Sequence, residues 1–139
     1  MTSRVVAAGF AALDAHDVRW CLLRGFAETS PKTTPPSPTG GATGRDLDLL
    51  VAPADLDRAA AALRTAGYAQ VPGWSGPSHR QFVAYDADDD RWIRFDASGE
   101  LSFGAGRLVA ADPAPVLTRS VTVEGARRPA PDDRFWALL

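Results

Sequence analysis

The segment GRDLDLLVAP, residues 44–53, places two acids one residue apart at the start of an apolar run. Side chains of a β-strand alternate between the two faces of its sheet. Two sets result: Asp46, Asp48 and Leu50 on one face, and Leu47, Leu49 and Val51 on the other. The second set is wholly apolar, so we expect it to meet a hydrophobic core while the two carboxylates point away from that core.

The same alternation in RWIRFDAS, residues 91–98, predicts a second strand with one apolar face. Ile93 and Phe95 are expected to point inward, and Trp92, Arg94 and Asp96 to point together the other way. If this strand lies beside the first one, three carboxylates converge on one face of the sheet next to an arginine.

Carboxylates held close together repel one another, and leaving them unpaired costs several kcal/mol. Oxygen ligands on short aspartate side chains suit Mg²⁺ or Mn²⁺. Three such groups are able to hold two ions, an arrangement used for phosphoryl and nucleotidyl transfer. The simpler alternative stays open: Asp46 and Asp48 serve solubility or turn capping at a strand edge, and Asp96 pairs with Arg94 or ends a strand.

The rest of the chain predicts further elements that alternate between helix and strand. We expect a helix over residues 3–15 capped by Ser3, a buried strand over 18–25, a helix over 53–67 and a short strand over 68–71. A hairpin with strands 81–85 and 91–96 is predicted around the charged turn DADDD. A small edge hairpin is expected in SVTVEGARRPAP, and a helix beginning in PDDRFWALL. Residues 26–45, rich in Pro, Thr and Gly, are predicted to form a long flexible loop.

Length and charge exclude several classes of protein. The 139 residues suit one domain, residues 1–139, and the net charge of −2 excludes a general affinity for nucleic acid or anionic membranes. Cys21 is the only cysteine, so no internal disulfide forms. No apolar run approaches the roughly 20 residues that span a bilayer. The first segment contains acids and a helical pattern, unlike a signal peptide. The expected location is the cytoplasm.

A strand ending in LLRG, then a loop, then DLDLLV, and later a strand RWIRFD with a lone acid together resemble the nucleotidyltransferase superfamily. That superfamily includes DNA polymerase β and aminoglycoside nucleotidyltransferases. The likeness extends over about residues 5–105 and is strongest to small bacterial nucleotidyltransferase-like proteins. It implies an α+β fold in which two or three helices pack on one face of a mixed β-sheet.

The resemblance also implies roles for individual residues. Asp46 and Asp48 match the family's metal-binding acid pair, and Asp96 matches its third carboxylate. Gly25 matches the glycine after the first strand, where the backbone approaches phosphates closely. The expected cofactor is Mg²⁺ or Mn²⁺, and the expected partners are a nucleoside triphosphate and an acceptor that the sequence does not identify. Beside these implied roles, two arginines are candidates to bind phosphate: Arg24, next to Gly25, and Arg94. The alternatives for them stay open: a surface arginine at a strand end, and an ion pair that is purely structural.

A second function is compatible with the same fold. Phe26 follows Gly25 where the family commonly has serine or glycine, and the loop after it is long. These departures favour a module that binds a nucleotide or a protein without turnover. The apolar run that ends the sequence, FWALL, is a candidate surface for a homodimer or another protein partner.

Overall fold

A computed structural model describes residues 3–25, 44–72, 78–103 and 109–138. Most of the predicted loop, residues 26–43, lies outside the described residues. The remaining two positions of that loop, residues 44 and 45, belong to a β-strand, so the strand begins two residues earlier than predicted. Of the predicted apolar partner surface, residues 135–139, the side chains of residues 136–139 also lie outside the described part.

The first helix, α1 (Arg4–Ala15), forms where the sequence predicts it. The hydroxyl oxygen of Ser3 caps the helix by accepting hydrogen bonds from the backbone nitrogens of Val5 at 3.1 Å and Val6 at 3.4 Å. Phe10 and Leu13 are buried on the inner side of the helix. The cap and the apolar stripe together fix where α1 begins and which side of it meets the core.

Five strands form the main sheet: β1 (Trp20–Arg24), β2 (Gly44–Val51), β3 (Ala69–Gln70), β4 (His79–Asp86) and β5 (Arg91–Ser98). Their spatial order is β1-β2-β5-β4-β3. The central pair, β2 and β5, is parallel, and the other neighbours are antiparallel. The sheet is therefore mixed, and with the helices it makes the fold α+β, as predicted.

One face of this sheet carries the main core. A short 3₁₀ helix (Pro53–Asp55) leads into α2 (Leu56–Thr65), so the predicted helix begins as a tighter turn and ends two residues early. Helices α1 and α2 contact each other over this face. Phe10 stacks on Trp20 with ring centroids 4.7 Å apart, and Tyr68 stacks on Phe95 at 4.9 Å. The predicted inward residues are all buried here: Leu47, Leu49, Val51, Ile93 and Phe95.

The opposite face carries a second, smaller core that the sequence did not predict. The hairpin of β6 (Leu101–Phe103) and β7 (Val109–Ala111) leads to α3 (Ala114–Arg119). Four buried side chains form this core: Cys21, Leu50, Leu101 and Val116. Helix α3 therefore packs on the face opposite α1 and α2, and the second core covers only one end of that face.

The last described elements are the predicted edge hairpin, β8 (Val121–Val123) with β9 (Ala126–Arg128), and a 3₁₀ helix (Pro131–Leu138). The predicted helix in PDDRFWALL is thus of the 3₁₀ type. The carboxylate of Asp133 accepts two hydrogen bonds from Arg119, at 3.0 and 2.7 Å, which ties this helix to α3. Within the described ranges, no helix is both long enough and apolar enough to cross a membrane.

Candidate functional site

The parallel pairing of β2 and β5 brings the three predicted acids together. Asp46 lies opposite Arg94, and Asp48 lies opposite Asp96. Neighbouring strands are about 4.8 Å apart, so each pair lies side by side on the face that points away from the main core. The expectation that these carboxylates converge beside Arg94 is therefore confirmed.

Two arginines neutralise part of this acidic cluster. The Nε atom of Arg24 lies 2.8 Å from Oδ2 of Asp48, and Nη2 of Arg94 lies 2.8 Å from Oδ2 of Asp46. The Nε atom of Arg94 is also 3.8 Å from Oδ2 of Asp96. Each arginine that the sequence assigned to phosphate thus pairs with a carboxylate of the cluster.

A β-bulge places Arg24 on this face. Leu22 is opposite Leu49, but Arg24 is opposite Asp48. The chain therefore advances two residues along β1 while it advances one residue along β2. Regular alternation would send Arg24 to the core side together with Leu22. A bulge re-aims the side chain that follows it, and here it turns Arg24 toward Asp48. Sequence alternation alone does not reveal this shift.

Gly25 permits the close approach of β1 to β2. Its φ of +112° lies in the region that favours glycine, and a Cβ atom there would lie 2.3 Å from the backbone oxygen of Asp46. The structure thus gives a packing reason for glycine at this position. Its predicted contact with phosphate stays a prediction.

The acidic face becomes steadily more buried along β2. The Asp46 side chain is 59% exposed and that of Asp48 is 29% exposed, and Leu50 is fully buried in the second core. On β5 the Asp96 side chain is only 15% exposed. The cluster therefore runs from an open end at Asp46 to a nearly closed end at Asp96.

Burial is the largest influence on the pKa of Asp96 and raises it above the usual range. The charges of Asp48 and Asp46 raise this pKa further, while those of Arg94 and His79 lower it. The Oδ1 atom of Asp96 is buried and accepts no hydrogen bond from the described residues. An ionised Asp96 thus lacks a full set of partners, which a bound cation would supply.

The donor atoms suit a hard divalent ion, but their present arrangement does not assemble a metal site. Among the described residues, no group of three His, Cys, Asp or Glu side chains is placed to hold a metal. Arg24 and Arg94 each engage an oxygen of the acid pair. An ion bound at Asp46, Asp48 and Asp96 would therefore compete with these arginines for the Oδ2 atoms of Asp46 and Asp48.

Neighbouring strand β4 adds residues that sequence reasoning did not place at the site. Gln81 lies opposite Asp96, and Tyr85 lies opposite Trp92. The alternation in QFVAY, which buries Phe82, is the signal that would have found them. Arg80, in contrast, pairs with Asp57 at 2.7 Å and takes no part in the cluster.

The turn DADDD forms a hairpin turn, as predicted. Asp86 is buried, where its carboxylate accepts hydrogen bonds from the hydroxyl of Ser3 at 2.5 Å and from the backbone nitrogen of Asp88 at 3.1 Å. These contacts hold the pKa of Asp86 below its usual range, with the Ser3 hydrogen bond as the largest cause. The acid at the start of this turn therefore stabilises the fold.

A cavity of about 370 Å³ lies elsewhere, between the turn at Ala52–Ala54 and α3. Its walls are mostly apolar side chains, including Pro53 and Leu117, and none of the three clustered acids lines it. The three clustered acids therefore lie on the open sheet face and not in this cavity.

Comparison of the chain with protein-family models, with curated proteins and with solved structures found no match.

Proposed function

We propose that this protein is a metal-dependent nucleotidyltransferase, which moves a nucleoside monophosphate from a nucleoside triphosphate to an acceptor hydroxyl or phosphate. The main support is the convergence of Asp46, Asp48 and Asp96 on one sheet face, with a buried oxygen of Asp96 that has no hydrogen-bond partner among the described residues. Carboxylates brought together in this way repel one another unless positive charges offset them, and a metal ion would supply such charge to that oxygen of Asp96. On this proposal the mixed sheet corresponds to the palm of a nucleotidyltransferase.

Asp46, Asp48 and Asp96 would hold Mg²⁺ or Mn²⁺, which neutralises charge on the triphosphate and on the leaving group. Arg24 and Arg94 then exchange a carboxylate for a phosphate, since guanidinium groups bind both anions in the same forked geometry. In the transfer, the acceptor oxygen bonds to the α-phosphorus, and the bond from that phosphorus to the pyrophosphate oxygen breaks. Asp96 would complete the shell of one ion and so favour deprotonation of the acceptor.

The ion pairs of the acidic cluster favour a second candidate function. Arg24 and Arg94 already offset the charges of Asp48 and Asp46 at 2.8 Å. A cluster neutralised in this way is stable without an ion, as expected for a module of the same fold that binds a nucleotide or a protein partner without turnover. The two candidates differ in whether pyrophosphate is released.

The test compares charge-matched variants of the full chain. One variant is Asp46→Asn with Asp48→Asn, and the control is Asp88→Asn with Asp89→Asn, which removes two negative charges from the exposed turn. Each protein is incubated with each labelled triphosphate and Mg²⁺ or Mn²⁺. Pyrophosphate and labelled product are measured, together with binding of the triphosphate by calorimetry.

If the protein is a nucleotidyltransferase, the wild type and the Asp88/Asp89 control release pyrophosphate. The Asp46/Asp48 variant does not. Binding without pyrophosphate release identifies the second candidate. If the wild-type protein binds no triphosphate in the presence of either ion, the nucleotidyltransferase is wrong, and so is a module that binds a nucleotide without turnover.

A further inference from the structure

Two aromatic side chains stand exposed at the open end of the acidic face. Trp92 is 54% exposed and Tyr85 is 47% exposed, although most large apolar side chains of the described residues are buried. Their rings meet edge to face with centroids 5.3 Å apart. Tyr85 also donates a hydrogen bond from its hydroxyl to Asp90. Tyr85, which is itself bonded to Asp90, therefore supports one side of the exposed indole ring.

The strand register places this aromatic pair in line with the charged cluster. Trp92, Arg94 and Asp96 follow one another on the same face of β5. The residue opposite Trp92 on β2 is Gly44, which has no side chain to cover the indole from that position. From Trp92 to Asp96 the strand rises about 13 Å at 3.3 Å per residue.

From this arrangement we infer that Trp92, supported by Tyr85, is the platform on which the base of the nucleotide stacks. This inference rests on the proposed function, which puts the ions at Asp46, Asp48 and Asp96 and the phosphate contacts at Arg24 and Arg94. The ribose and phosphate chain of a nucleotide span a separation of this size. Arg94 lies between the two ends, where a guanidinium is able to contact phosphate while the ring of the ligand lies over the indole.

The gradient of burial supports this orientation of the ligand. A phosphate and its cation gain most where water is already excluded, near Asp96, because electrostatic attraction is stronger in a low dielectric. A base needs only one face of a ring to stack on and tolerates an open site. Since every base has such a face, the platform is expected to accept all four triphosphates rather than to read one.

The experiment measures the affinities of ATP and of inorganic tripolyphosphate, each with Mn²⁺, for the wild-type protein and for Trp92→Ala. Loss of a stacked base is expected to weaken ATP binding about tenfold or more. Tripolyphosphate has no ring, so its affinity is expected to stay within about twofold. Trp92→Phe keeps an aromatic face and is expected to recover most of the ATP affinity. It also allows the test to be made if the alanine variant does not fold.

Val123→Ala is the control, because it removes another exposed apolar side chain from outside the main sheet. Unchanged ATP affinity in Trp92→Ala overturns the platform, and so does an equal loss for ATP and tripolyphosphate. Both of these results leave the proposed function standing, because the wild-type protein still binds ATP. If neither the wild-type protein nor Trp92→Ala binds ATP, the proposed function itself has failed.

Discussion

Substitution of Gly25 by alanine tests the close approach of β1 and β2 that builds the acidic face. The glycine has φ +112°, and an added Cβ would lie 2.3 Å from the backbone oxygen of Asp46 and 2.9 Å from the Cα of Leu47. Both of these atoms are backbone atoms of β2, so neither is able to rotate away. Alanine therefore forces the two strands apart or changes the conformation of the turn after β1.

The expected cost has two parts. Holding a residue other than glycine at positive φ costs about 1–3 kcal/mol. Overpacking against an atom that cannot rotate away adds about 1–3 kcal/mol. Gly67→Ala separates the two parts, because Gly67 has φ +95° and a Cβ there would meet no atom within 4 Å. Gly25→Ala is thus expected to lose about 1–3 kcal/mol more than Gly67→Ala.

Urea unfolding of the wild-type protein and both variants measures this difference, and thermal unfolding provides a second reading. For a chain of this size the extra loss corresponds to a Tm lower by on the order of 4–12 °C. Gly125→Ala, with φ +85° and open space around it, is expected to behave like Gly67→Ala. If Gly25→Ala unfolds at the same urea concentration as these two controls, the close contact with β2 does not exist in solution.

Two further predictions concern the buried Asp86 and the half-buried Asp96, whose pKa values shift in opposite directions. Asp86→Ala leaves the Ser3 hydroxyl without its acceptor and is expected to cost about 1–3 kcal/mol in urea unfolding at pH 7. Because the pKa of Asp86 is lowered in the folded state, this contribution is present at neutral pH and is lost as the pH falls through the folded pKa, so the variant and the wild type converge in acid. Asp96→Asn is expected to raise the free energy of unfolding at pH 7, since burial raises the pKa of Asp96 and its ionisation opposes folding. That gain should disappear below the usual pKa of an aspartate, and a stability difference that does not depend on pH would contradict this explanation.

The residues that alternate along β2 and β5 could be assigned to their faces from the sequence, because a period of two needs no knowledge of the partner strand. Leu47 and Phe95 are buried and Asp46 and Arg94 share the outer face, as predicted. The convergence of the acids also required β2 and β5 to be neighbours, which the sequence stated only as a condition. The structure meets this condition with a parallel pair.

What the sequence did not predict depends on contacts between distant segments. The bulge in β1 follows from how that strand pairs with β2, and it changes the direction of Arg24 against the local pattern. Helix α3 is six residues long, too short for a clear helical period. Its Val116 forms a core with Cys21 and Leu50 from other strands, so only the assembled sheet shows that this face is partly covered.

The partly covered face explains why this acidic cluster differs from ordinary surface acids. Asp48 and Leu50 are two residues apart on the same face of β2, yet Leu50 is fully buried beneath the second core while Asp48 keeps partial exposure. The second core therefore stops covering this face between Leu50 and Asp48, and Asp96, opposite Asp48, lies at that boundary. A carboxylate at such a boundary loses much of its hydration, so its charge is costly unless an ion or a guanidinium offsets it. The second core thus makes the charge of Asp96 costly, and under the proposed function a cation bound together with the nucleotide would offset that charge.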